Sequence, residues 1–155
     1  MTQEMIRQFL PARTADSNKG TYGKLLDVSG SRECAGCAIL SSLAAMRSGL
    51  GMVKVISDSG NFAPLMNIVP EALFSSDTNY TAVMDSMNWA SAALIGPGIG
   101  KGEAAQDVLA ELLNTYTDLP LVIDADGINL ISESKGLREK LYEKAAREPV
   151  IMTPH

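Results

Sequence analysis

Four short stretches bring together residue types that do chemistry: Gly30-Ser-Arg-Glu-Cys-Ala-Gly-Cys37, Gly96-Pro-Gly-Ile-Gly100, Asp124-Ala-Asp126 and Thr153-Pro-His155. Each follows an apolar run of the kind that forms a buried strand of a parallel sheet. In an open α/β sheet, ligands collect at the carboxyl ends of the strands, so four such endings together point to one crevice. Gly96, Gly98 and Gly100 let backbone come close to a ligand because no Cβ intervenes. A helix-forming stretch begins at Glu103. Its unsatisfied N–H groups would face the same place and favour an anion. The stretch therefore predicts a phosphate-binding edge, and a tight strand-to-helix turn without a ligand is the alternative.

The other three stretches carry two readings each. The first lacks both the Gly-x-Gly-x-x-Gly fingerprint and a terminal Gly-Lys-Ser/Thr, so dehydrogenase and Walker-type sites have weak support. Gly36 and Cys37 at a helix start still suit a closely approaching ligand. Cys34-Ala-Gly-Cys37 also spells Cys-x-x-Cys, either a dithiol at a helix N-terminus or simply small loop residues. With a single histidine in the chain, a zinc site lacks ligands. Asp124 and Asp126, two apart on an expected strand, would face the same way and hold Mg²⁺ through water, or a ribose hydroxyl. Asp126 equally suits an N-cap for the helix after it. His155, the last residue, is either a frayed end or a crevice residue placed by the buried strand expected before it.

The elements that must position these residues alternate along the chain. Met5, Ile6, Phe9 and Leu10 are spaced for an N-terminal helix ended by Pro11, and residues 1–18 form this helix and an extended lead-in. Strands are expected at 25–29, 52–57, 91–95, 120–126 and 149–153, and 69–74 reads as an edge strand because Pro70 cannot donate to a ladder. Helices are expected near 37–48, 62–67, 78–89, 103–114, 127–131 and 135–147. Ile39, Leu40, Leu43, Ala44 and Met46 form the inward stripe of the first of these, with Gly49 as its cap. Strand, small-residue loop, helix and strand make a right-handed βαβ unit. The whole pattern predicts a doubly wound, mostly parallel α/β sheet with helices on both faces, as one domain over residues 1–155.

Bulk composition limits the partners. The 155 residues are 46% apolar and 20% charged, which is ordinary globular composition. A formal charge of −5 argues against nucleic-acid and anionic-membrane surfaces. The chain has no apolar run of membrane-spanning length and no secretory n- and h-region at its start, so a cytoplasmic protein is expected. Two cysteines are too few for a disulfide framework.

Several segments, in this order, resemble the NAD(P)H-hydrate dehydratases of the ribokinase-like superfamily, formerly labelled carbohydrate kinases. They are Lys19-Gly-Thr-Tyr-Gly-Lys24, Gly30-Ser31 with Ala35-Gly36, Ala45 to Val53, Pro70-Glu71, Ile95 to Gly100, Val122 to Asn129 and Thr153-Pro-His155. The resemblance implies a ribokinase-like fold and repair of the S form of hydrated NADH and NADPH. In bacterial members ADP, with Mg²⁺, phosphorylates the C6 hydroxyl of the damaged ring. Phosphate then leaves, giving NAD(P)H and AMP, a carbon–oxygen lyase reaction; ATP is the alternative donor. By position, the dinucleotide would contact Gly36, Cys37, Gly98 and His155, with Gly96, Gly100, Asp124, Asp126 and Asn129 lining the same crevice. Cys37 replaces the family's usual alanine, which is tolerable if the contact runs through its backbone N–H.

The resemblance also implies a longer protein. In the family, Thr-Pro-His leads into Pro-Gly-Glu and a second half holding most of the adenine-nucleotide site. A Gly-Ser-Gly-Asp loop there carries the presumed base and the anion hole, so no catalytic residue and no metal ligand are assigned within residues 1–155. The chain is expected to be an N-terminal half that binds the dinucleotide without turning it over. The alternatives are a non-catalytic nucleotide-binding or assembly fragment, forming a homo-oligomer as family members do, and a small-molecule kinase of the same superfamily.

Overall fold

The computed structural model describes residues 2–5, 12–114 and 118–155. Six parallel strands form one sheet. They are β1 (Lys24–Val28), β2 (Met52–Ile56), β3 (Leu73–Ser75), β4 (Ala92–Ile95), β5 (Leu121–Asp124) and β6 (Val150–Thr153). Six helices connect and flank them: α1 (Ala35–Arg47), α2 (Phe62–Ile68), α3 (Tyr80–Trp89), α4 (Glu103–Asn114), α5 (Ala125–Glu133) and α6 (Lys135–Ala145). Strand order is β3-β2-β1-β4-β5-β6. The chain thus winds outward from β1 in one direction, then crosses back and winds outward from β4 in the other. The reversal places the topological switch point between the carboxyl ends of β1 and β4.

Alternation along each strand divides the core in two. Leu26 and Val28 of β1, Ile56 of β2, Ala93 and Ile95 of β4, and Leu121 and Ile123 of β5 point to one face. There they meet Val83 and Met87 of α3, Val108, Leu109, Leu112 and Leu113 of α4, Leu130 and Ile131 of α5, and Leu137 of α6. Val53 and Val55 point to the other face, against Ala38 of α1 and Leu65 of α2. The expected doubly wound sheet is therefore observed, with α1 and α2 on one face and α3 to α6 on the other. The buried residues of α4, Val108, Leu109, Leu112 and Leu113, form one apolar stripe at helical spacing.

The structure corrects four details. The α1 stripe is rotated in part: Ala38 and Ser42 are its buried positions, Ile39, Leu43 and Met46 pack half-buried against the core as expected, and Leu40, 69% exposed, and Ala44 face outward. Small residues let α1 pack close to the sheet, so its large apolar side chains sit at the margins. The strand expected at 69–74 begins only at Leu73, because Val69 caps α2 and Pro70 falls in the following turn; its edge position holds. The strand expected at 120–126 ends at Asp124, and α5 begins at Ala125, whose φ is +42°. The strand expected to be buried before His155 is the other edge of the sheet, with Ile151 58% exposed.

Gly49 performs the expected capping. At φ +97° it donates to the Met46 carbonyl, while Leu50 donates to that of Ala45, closing a Schellman turn after α1. Residues 3–5 are helical. Ile6, Phe9, Leu10 and Pro11, on which most of the expected N-terminal helix rests, lie outside the described residues.

Candidate functional site

Parallel pairing aligns the strand ends: Val28 lies beside Ile56 and Ile95, Ile95 beside Ile123, and Asp124 beside Thr153. All four chemistry-bearing stretches therefore emerge at one edge. At the switch point the loops after β1 and β4 are tied together, Gly30 N–H donating to the Pro97 carbonyl at 2.8 Å. Gly96 continues the β1–β4 ladder, its N–H donating to the Val28 carbonyl at 3.2 Å.

Two of the loop glycines are required by contact. At Gly96, with φ +128°, a Cβ would lie 1.8 Å from the Asp124 carbonyl oxygen. Backbone meets backbone there, which is how the ends of β4 and β5 come so close. At Gly98, with φ +64°, a Cβ would lie 2.7 Å from Cys37 Sγ and 2.9 Å from Cys34 Sγ. The loop apex thus rests on the start of α1. At Gly36 a Cβ would meet nothing within 4 Å, so the space above the first turn of α1 is open.

The two aspartates do not share a strand face as expected, because α5 starts between them. Asp124 ends β5 and its Oδ1 accepts from Thr153 Oγ1 at 2.8 Å. Asp126 stands in the first turn of α5, where the position itself favours negative charge. It caps a loop rather than its own helix: Oδ2 accepts from the Gly100 N–H at 2.9 Å, and Oδ1 from Asn129 Nδ2 at 3.4 Å. Asp126 and Asn129 thus hold the Gly96–Gly100 loop in place, and one amide expected to face an anion is already bonded to a carboxylate. Cys37 differs similarly, since its N–H donates to the Cys34 carbonyl at 3.3 Å. His155 follows β6 and is exposed.

Electrostatics agree with this grouping. The Cys37 thiol is pushed up to about 11, first by its hydrogen bond with Cys34, then by burial and the negative charges of Cys34, Asp126 and Asp124. Gly36, Cys37, Gly96, Gly98, Gly100, Asp124, Asp126 and Asn129 therefore belong to one neighbourhood. Among the described residues no three histidines, cysteines or carboxylates could together hold a metal ion. A magnesium ion here would need most of its oxygens from phosphate and water.

Sequence reasoning missed the flank of this crevice. A cavity of about 370 Å³ adjoins the switch point, lined among others by Ser31, Arg32, Ser57, Ser59, Thr78 and Ile99. The runs Ser57-Asp-Ser59 and Ser75-Ser-Asp-Thr78 follow β2 and β3, and their polarity after apolar strands was the signal available. Ser57 Oγ donates to the Gly30 carbonyl at 3.1 Å, and Asn61 Nδ2 to the Ser31 carbonyl at 3.0 Å, bracing the β1 loop. A larger cavity of about 550 Å³ lies at the opposite, amino end of β1 and β4, lined by Tyr22, Leu25, Ala45, Leu50 and Ala92. Among the described residues no charged side chain lines it, and the hydroxyls of Thr21, Tyr22 and Ser48 on its wall are already bonded to Asn18, Ser17 and Ala44.

Comparison with known proteins gives a consistent picture. A family model described as NAD(P)H-hydrate dehydratase matches residues 25–155. An ADP-dependent (S)-NAD(P)H-hydrate dehydratase of Bacillus subtilis is 39% identical over 99% of this chain and 52% of its own length. The bifunctional NAD(P)H-hydrate repair enzyme of Escherichia coli K12 is 31% identical, covering 98% of this chain and 27% of its own. A crystal structure of the B. subtilis ADP/ATP-dependent enzyme, co-crystallised with ATP and Mg²⁺, superposes with TM-score 0.75 at 32% identity over 99% of this chain and 52% of that one. A ribokinase-like superfamily protein from Enterococcus faecalis gives TM-score 0.79 at 30% identity, over 86% of this chain and 47% of that one. The chain spans about half the length of the ADP-dependent relatives it matches.

Proposed function

The chain belongs to the NAD(P)H-hydrate dehydratase family, and on that premise we propose that its crevice is one wall of the site for hydrated NADH or NADPH. The observation that carries this reading is the switch point. The loops after β1 and β4 are bonded to each other there, and Gly98 lies bare against the start of α1. Ligands of open α/β sheets bind at such a point, and Gly36, where a Cβ would meet nothing within 4 Å, leaves backbone at the start of α1 open to a flat ring. Asp126 and Asn129 hold the loop at Gly100, and Thr153 holds Asp124 at the open edge. Gly36 and His155 complete the wall on either side.

The reaction proposed for the whole protein is ADP-dependent dehydration, with ATP as the other candidate donor. It is a carbon–oxygen lyase step yielding NAD(P)H, AMP and phosphate. Mg²⁺, when bound, neutralises charge on the donor phosphates. Residues 1–155 contain no Gly-Ser-Gly-Asp sequence to serve as a preorganised anion hole, usually the largest electrostatic contribution to such a step. This chain alone is therefore expected to bind the dinucleotide weakly and not to turn it over. The reading places the protein in the cytoplasm with its nucleotide pool; no helix among the described residues is long and apolar enough to cross a membrane.

Two measurements on the chain test this. Titration with NADH should show saturable binding that weakens at least about tenfold in Asp126→Ala, which frees the Gly96–Gly100 loop. Incubation of hydrated NADH with ADP, Mg²⁺ and the chain should leave the reduced-nicotinamide absorbance unrestored. Absence of NADH binding, or repair by the chain alone, would overturn the reading. A homo-oligomer is the second reading, favoured by Ile151 and Met152 exposed on the edge strand β6.

A further inference from the structure

Cys34 is the N-cap of α1 and Cys37 stands in its first turn, an arrangement that brings both side chains to one side. Their Sγ atoms are 2.8 Å apart in a thiol–thiol hydrogen bond, and both are free, half-buried thiols. The Cys37 N–H to Cys34 carbonyl bond closes a turn between them. A turn of that span holds its end Cα atoms within about 7 Å, a separation a disulfide bridges. Gly98 supplies the remaining room, since both sulfurs occupy the space its missing Cβ would fill.

We propose that Cys34 and Cys37 are a redox modification site, closing reversibly to an intrachain disulfide beneath Gly98. The co-reactant is a low-molecular-weight disulfide. Cys34, the N-cap residue ahead of the first turn, is assigned as the sulfur that attacks, and Cys37, inside that turn with its thiol pushed up by the hydrogen bond with Cys34, attacks second. The Cys34 thiolate attacks one sulfur of the small disulfide, whose S–S bond breaks; the departing thiolate takes up the proton that Cys34 released. Cys37 then attacks Cys34 of the mixed disulfide, and its proton goes to the second departing thiolate. Two protein thiols are oxidised to one disulfide, and the small disulfide is reduced to two thiols. Closure replaces the thiol–thiol contact by a bond of about 2.05 Å and so shifts the start of α1 against the Gly96–Gly100 loop. This site needs only the geometry of the α1 start and stands whether or not the crevice takes a dinucleotide.

The test equilibrates the chain with mixtures of reduced and oxidised glutathione and reads it by mass spectrometry and thiol labelling. Both thiols should disappear together, with loss of two hydrogens from a chain that is not cross-linked to another, and both should return on reduction. Cys37→Ser should trap a glutathione adduct on Cys34 at least about tenfold faster than Cys34→Ser traps one on Cys37. A wild-type chain that accumulates stable glutathione adducts or interchain disulfides would overturn the proposal. Equal trapping rates in the two variants would overturn the assignment of Cys34 as the attacking sulfur.

Discussion

At the scale of single residues, Asp27 is the most consequential group outside the crevice. It lies in β1, fully buried on the α1 face, where Oδ2 accepts from Ser41 Oγ at 2.6 Å while Oδ1 finds no partner. Burial raises its pKa from 3.8 to about 6, against the opposing hydrogen bonds of Ser41 and Ser29. The folded state therefore holds this proton more tightly than the unfolded chain does. The stability it contributes is fully present below pH 3.8 and is lost as pH rises through about 6. Its share of the loss is on the order of 2–3 kcal/mol. Asp27→Asn keeps the shape and removes the titration, so its denaturant midpoint should fall less than that of the wild type between pH 4 and pH 7.5. Parallel midpoint curves for the two proteins across that range would show that burial does not raise the Asp27 pKa above its value in the unfolded chain. No local pattern announces this residue, because an aspartate in an apolar strand reads the same whether its environment is wet or dry.

At the scale of elements, the strand-end glycines separate conformational need from open space. Gly96→Ala would drive a Cβ into the Asp124 carbonyl at a φ that side chains rarely adopt. Neither partner is a flexible side chain, so the β4 and β5 ends must part, costing on the order of 3 kcal/mol or more. Gly36→Ala, in the first turn of α1 with nothing within 4 Å of the added methyl, should instead stabilise by about 0.5 kcal/mol. Urea midpoints moving in opposite directions are the expected result, and a neutral Gly96→Ala would refute the close packing described. Element order and type were legible because apolar strands alternate with amphipathic helices and turn residues mark their ends. What stayed hidden was set by tertiary contact. The α1 stripe turned away from Leu40 because Ala38 and Ser42 pack more closely on the sheet. In α6 the periodicity gives no sign that Lys144 is only 1% exposed, paired with Glu148. Asp126 was readable as a candidate crevice aspartate, but not as the brace of Gly100, because that bond joins positions far apart in sequence.

At the scale of the whole molecule, the sheet has two edges of unequal character. β3 spans three residues, and a short edge offers little ladder to a partner. β6 spans four, carries no charge, and leaves Ile151 58% and Met152 38% exposed. An uncharged apolar edge with its outer N–H and C=O groups unpaired by the sheet is a template for another strand, and a second copy offers the same edge. The chain should therefore associate with rising concentration, as read by light scattering across a size-exclusion series. Ile151→Lys places a charge on that edge without touching the buried core, and should return the protein to monomer while leaving its unfolding midpoint within about 0.5 kcal/mol of the wild type. The crevice lies at the strand ends, away from the Ile151 side chain, so the variant should bind NADH as the wild type does. A wild type monomeric at every concentration would show that β6 is tolerated as a bare edge, and loss of NADH binding in Ile151→Lys would instead place the dinucleotide site across the interface between copies.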